Sequence, residues 1–154
     1  MNIEIPTRPH LYKFLLAKFG QPYNLKKADY IGSWLFEQLR RPRSNARYKI
    51  PEDFTAIFII EIDNDEAIQF GTIHCSNMLI TRFNEVVTDL FNEALYHYMD
   101  GAQISGGRIT YAASDFMAKY DIEDGEINRD SLLRKFRRHR QREREREKDE
   151  KYYY

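Results

Sequence analysis

Between residues 131 and 142 the chain carries Arg134, Lys135, Arg137, Arg138, Arg140 and Arg142 and no acid. Arg134, Arg137, Arg138 and Arg142 recur at i, i+3, i+4 and i+8, so on a helix they share a face. A guanidinium is a planar fork of donors. It engages phosphate oxygens, or the O6/N7 edge of guanine, in two-pronged geometry. Such a run fits a nucleic acid, and neutralising about five phosphates would give a log K against log salt slope of about −4 to −5. A solvated charged face and docking on an acidic protein are the competing readings.

A second basic cluster, Arg40, Arg41, Arg43, Arg47 and Lys49, falls within residues 39–51, which also lack acids. A surface loop is the preferred reading. A second contact to a nucleic-acid backbone is the alternative.

Catalytic chemistry finds less support. Glu61, Asp63 and Asp65 alternate at the end of an expected strand and would point the same way, as Mg²⁺-holding oxygens do in a nuclease. Turns are rich in Asp for conformational reasons, however, and the EF-hand spacing is absent, with Ala67 and Ile68 standing in the run. His74 and Cys75 adjoin on an expected strand and would face opposite ways, which argues against joint metal ligation. His10, His97 and His139 are scattered. Residues 105–108 (Ser-Gly-Gly-Arg) precede a helix, where backbone N–H groups can meet an anion, but a plain loop has the same composition. No catalytic residue, metal or cofactor is expected.

The elements that must position the Arg run follow from hydrophobic spacing. Residues 2–5 alternate as a short strand closed by Pro6. A helix follows from Pro9 to about Phe19, with Leu11, Phe14, Leu15 and Phe19 on one stripe and Gly20 as its cap. A second covers roughly 27–41, with Tyr30, Ile31, Trp34, Leu35 and Leu39 inward. Residues 54–62 and 67–73 read as a β-hairpin turning at 63–66. From 79 to 99 the helical pattern is strongest, and Asp100-Gly101 should end it. Another helix spans about 108–120. The last begins near Arg129 or Asp130, anchored by Leu132, Leu133 and Phe136. Residues 146–154 read as a loose charged tail, because Arg142–Arg146 and Glu143–Glu147 repel at i,i+4.

The three closing helices resemble a tri-helical helix-turn-helix, whose middle helix braces a recognition helix in the major groove. More loosely, they resemble the small DNA-binding proteins of phages and mobile elements. The resemblance covers residues 80–142. It implies that the last helix is the one that contacts DNA. The connection at 121–128 exceeds the 3–4 residue turn of that motif.

Composition bounds the rest. The 154 residues include one Cys, Cys75, which excludes an internal disulfide framework. Residues 1–128 hold 13 Lys+Arg against 18 Asp+Glu, whereas residues 129–154 hold 11 against 6, so an acidic body carries a basic end. The first residues lack a basic stretch followed by an apolar run, and the longest apolar run, residues 56–60, is too short for a bilayer. A cytoplasmic location without a membrane partner is expected.

The sequence thus predicts an α+β, mostly helical protein. An N-terminal α+β part (1–79) precedes a three-helix part (80–145) and a tail (146–154), together as one domain. The expected function is non-enzymatic DNA binding as a regulator or accessory factor of a phage or mobile element. The rival is a structural or assembly protein, an oligomeric ring or connector subunit, whose basic helix docks on an acidic partner.

Overall fold

The computed structural model describes residues 1–40, 48–70 and 75–152. The protein is α+β and mostly helical, with six helices and three strands among these residues. The chain divides into two compact units, Met1–Val87 and Thr88–Tyr154.

In the first unit, β1 (Asn2–Thr7) pairs antiparallel with β3 (Ala56–Glu61), and β2 (Tyr23–Asn24) pairs parallel on the other side of β3. The order is β1-β3-β2. Ile3 faces Ile60 and Ile5 faces Phe58 in register, and all four are buried. α1 (Pro9–Phe19) starts with Pro9, whose missing N–H costs nothing in a first turn. It ends at Gly20 with φ 74°, a left-handed conformation that suits glycine. α2 (Tyr30–Arg40) is started by Asp29, whose carboxylate accepts from the Gly32 N–H and from the Tyr23 hydroxyl, each at 2.8 Å. Burial and that carboxylate push the Tyr23 phenol far above its usual range.

The expected β-hairpin does not form. Residues 64–66 of its turn and 67–70 of its second strand are instead the helix α3 (Asn64–Phe70); residues 71–74 lie outside the described residues. Asp63 begins α3: its carbonyl accepts from the Ala67 N–H at 2.8 Å. Asp65 and Glu66 sit in the first turn, where the helix dipole favours acids. β3 therefore takes β1 and β2 as partners. The N-terminal part of α4 (Asn77–Ile104) is tied to the sheet by Asn84, which is 2% exposed. Its amide donates to the carbonyls of Pro6 and Ile80, both at 2.9 Å, and accepts from the Arg8 N–H at 3.3 Å.

The second unit holds the C-terminal part of α4, then α5 (Ile109–Lys119) and α6 (Arg129–Tyr152). Its core gathers Phe91, Leu95 and Met99 from α4, Ala112, Ala113, Phe116 and Met117 from α5, and Leu132, Leu133 and Phe136 from α6. Phe91 meets Phe116 edge-on at 5.4 Å, and Phe116 meets Tyr120 at 5.0 Å. α4 runs on through Gly101. It stops where Gly106 turns to φ 79° and the Gly107 N–H bonds back to the Ala102 carbonyl at 2.8 Å.

The connection between α5 and α6 is long but ordered by its own bonds. Asp121 takes φ 55°, the Ile122 N–H returns to the Met117 carbonyl at 2.9 Å, and Ile122 is buried. This is the left-handed helix end usually given to glycine, closed by an apolar residue. Glu126 folds back to accept from the Glu123 N–H at 3.0 Å. Asn128 then caps α6, accepting from the Ser131 N–H at 2.8 Å.

Candidate nucleic-acid interface

α6 has two sides. Residues 132, 136, 139 and 143 stack on one side at helical spacing, while 134, 137, 138 and 141 stack on the other. Leu132 and Phe136 are buried. Below them His139 lies flat on Tyr96 of α4, with ring centroids 4.0 Å apart and planes within 8°. The His139 Nε2 is 3.2 Å from the Glu143 carboxylate. Burial raises the Tyr96 phenol above its ordinary pKa, against the pull of Arg142.

The six basic residues of the run divide accordingly. Lys135 is half-buried and donates to the Asn92 amide oxygen at 3.2 Å. Arg140 lies 3.5 Å from both Asp100 and Glu143. These two cations help hold α6 against α4. Arg134, Arg137, Arg138 and Arg142 are exposed. Arg134 donates weakly to the Asp130 carbonyl at 3.4 Å, and among the described residues Arg137 and Arg138 form no ion pair. All five guanidinia of the run are thus exposed, Arg140 beside carboxylates and the other four in no ion pair among the described residues.

Two features of this surface escaped the sequence reading. Gln141 stands on the outward side in line with Arg134, and its amide donates to the Glu145 carboxylate at 3.0 Å. Carboxylates border the basic side: Asp89, Glu93, Asp100 and Glu143 line a groove of about 470 Å³ with His97, His139 and Arg142. Helical spacing from Phe136 could have found Gln141. The bordering acids needed the α4–α6 packing.

Other sequence candidates are placed as follows. In the second basic cluster, Arg40 ends α2 and Lys49 is exposed, both in the first unit; Arg41, Arg43 and Arg47 lie outside the described residues. Glu61, Asp63 and Asp65 do not line up along one strand, because β3 ends at Glu61 and Asp63 starts α3. Among the described residues no group of three or more His, Cys, Asp or Glu is arranged to hold a metal. Cys75 is half-buried, and desolvation pushes its thiol up to about 11, which suppresses the nucleophilic thiolate. His74 lies outside the described residues. Among the described residues no helix is long and apolar enough to cross a membrane.

No family model, curated protein or solved structure matches the chain. The functional reading therefore rests on the interface itself.

Proposed function

We propose that this protein is a non-enzymatic DNA-binding protein, a regulator or accessory factor, that grips DNA through the outward side of α6. The observation that carries the reading is the division of the basic run. Lys135 and the exposed Arg140 have polar partners on α4, while the exposed Arg134, Arg137, Arg138 and Arg142 form no ion pair among the described residues, on a helix anchored by three buried side chains. A folded helix that holds exposed guanidinia has already met the backbone ordering cost that a flexible tail would meet on binding. Its four cations supply the charge that binding a phosphate backbone draws on. The α5–α6 pairing supports the helix as a bracing helix supports a recognition helix.

The test is fluorescence anisotropy of the full chain on a random-sequence DNA duplex, with the double variant Arg137→Glu/Arg138→Glu alongside. We expect binding by the parent and a loss of affinity of at least about thirtyfold in the variant. An equal affinity of both proteins would overturn the reading. So would absence of duplex binding together with large closed oligomers in light scattering, which would instead favour an assembly subunit.

A further inference from the structure

The sheet of the first unit has an open edge along β1. The Met1 amine donates to the Ile62 carbonyl at 2.9 Å, and the Ile62 N–H donates back to the Met1 carbonyl at 2.7 Å. The antiparallel register carries that exchange to Ile3, Ile5 and Thr7. The backbone groups of Asn2, Glu4 and Pro6 therefore point away from β3. Pro6 closes one end of this edge, because it has no N–H and its carbonyl accepts from the Asn84 amide at 2.9 Å. Among the described residues no hydrogen bond reaches the outward groups of Asn2 and Glu4, and both residues are exposed. The opposite edge of the sheet, β2, is two residues long, and shortness itself protects an edge.

We infer that a second copy of this chain adds to this edge, β1 against β1, antiparallel about a twofold axis at Ile3, with Asn2 opposite Glu4 of the other copy. Hydrogen bonding selects that register. Asn2 opposite Glu4 uses the N–H and C=O of both residues, twice over by symmetry. With Asn2 against Asn2, Glu4 passes beyond the partner strand, which begins at Asn2. With Glu4 against Glu4, Asn2 meets Pro6, which has no N–H to give and whose carbonyl is already taken.

Charge selects the same register. Like charges directly opposite each other destabilise a strand pair, which disfavours Glu4 against Glu4. An Asn amide opposite a Glu carboxylate donates to it. An unrelated extended peptide could meet the bare backbone groups. Satisfying the Asn2 and Glu4 side chains as well takes a strand that presents a carboxylate and then an amide in the reverse direction, and β1 itself is that strand. Ile3, buried on the core face, then meets Ile3 of the other copy in a non-hydrogen-bonded pair, where side chains come closest. The contact is isologous, so assembly closes at a dimer. The inference stands independently of the DNA-binding reading. It places two copies of α6 in one molecule.

The experiment is sedimentation equilibrium of the full chain over about 1 µM to 1 mM protein, with Glu4→Pro, Asn2→Glu and Asn2→Lys alongside. Proline at position 4 removes an N–H that bonds nothing within the subunit, as Pro6 already does two residues on. The parent is expected to form dimers and nothing larger. Glu4→Pro should weaken the dimer at least about tenfold, since two symmetry-related bonds are lost. Asn2→Glu should weaken it about fivefold, while Asn2→Lys, which sets a cation against the same carboxylate, keeps or tightens it. Amide exchange at Glu4 should slow as the parent is concentrated. A monomer throughout the range, species larger than a dimer, a dimer that Glu4→Pro leaves intact, or equal effects of the two Asn2 variants would each overturn the inference. Should Glu4→Pro fail to fold, the opposite signs expected of Asn2→Glu and Asn2→Lys decide it.

Discussion

At the scale of single residues, the run of cations divides by partner rather than by charge. Lys135 and Arg140 carry the same charge as Arg137 and Arg138 but are engaged by Asn92, Asp100 and Glu143. Substituting Lys135→Ala or Arg140→Ala should leave duplex affinity within about threefold and lower thermal stability modestly, by about 1 kcal/mol or less, since partly exposed contacts contribute little. Arg134→Ala should do the reverse and weaken binding while leaving the melting temperature in place. Salt titrations and thermal melts of the three variants check the division. Its basis was only half legible in the sequence. Spacing put Arg134, Arg137, Arg138 and Arg142 on one face, but the engagement of Lys135 and Arg140 depends on α4, about forty residues away in the chain. In the first unit, Tyr23 gives a pH prediction. Its folded pKa is raised, so the stability it contributes is full below the unfolded value of about 10 and is lost as pH rises above it. Tyr23→Phe should flatten the alkaline fall in stability above about pH 10, as followed by denaturant unfolding.

At the scale of elements, periodicity located the helices well and their ends less well. α4 has the apolar spacing of a helix over 79–99, yet it reaches Ile104, because Gly101 needs no positive φ and Gly106 supplies the left-handed turn. Residues 67–73 alternate well enough to read as a strand. Asp63 and the acids after it favour a helix start, and that local capping prevails over the alternation. β2 is two residues long and was invisible to any pattern. α6 also departs from expectation, since it is helical through Tyr152. The i,i+3 pairs of Arg with Glu and the Gln141–Glu145 bond offset the repulsive i,i+4 pairs. Residues 144–152 nevertheless bury nothing. Amide exchange should show strong protection at 132–140 and little at 146–152; equal protection across α6 would mean that the distal helix has a partner. The anchoring of α6 is tested by Phe136→Ala, expected to cost about 3–5 kcal/mol by denaturant unfolding.

At the scale of the whole molecule, charge asymmetry was the most informative feature of the sequence. An acidic body ending in a basic helix implies an interaction surface, and the fold leaves that helix's arginines exposed, among them Arg134, Arg137, Arg138 and Arg142. The fold class was readable from composition and periodicity. The choice among polyanion, protein partner and idle surface was not, because all three place arginines on an exposed helix face. Binding to the duplex backbone makes a claim about ion release that the other two do not. The measurement that reaches it most directly is duplex affinity of the full chain across a salt series. With these four guanidinia on the backbone, the log K against log salt slope should be about −3 to −4, falling to about −2 or shallower in Arg137→Glu/Arg138→Glu. A slope that the double variant leaves unchanged, or no binding even at low salt, would contradict it.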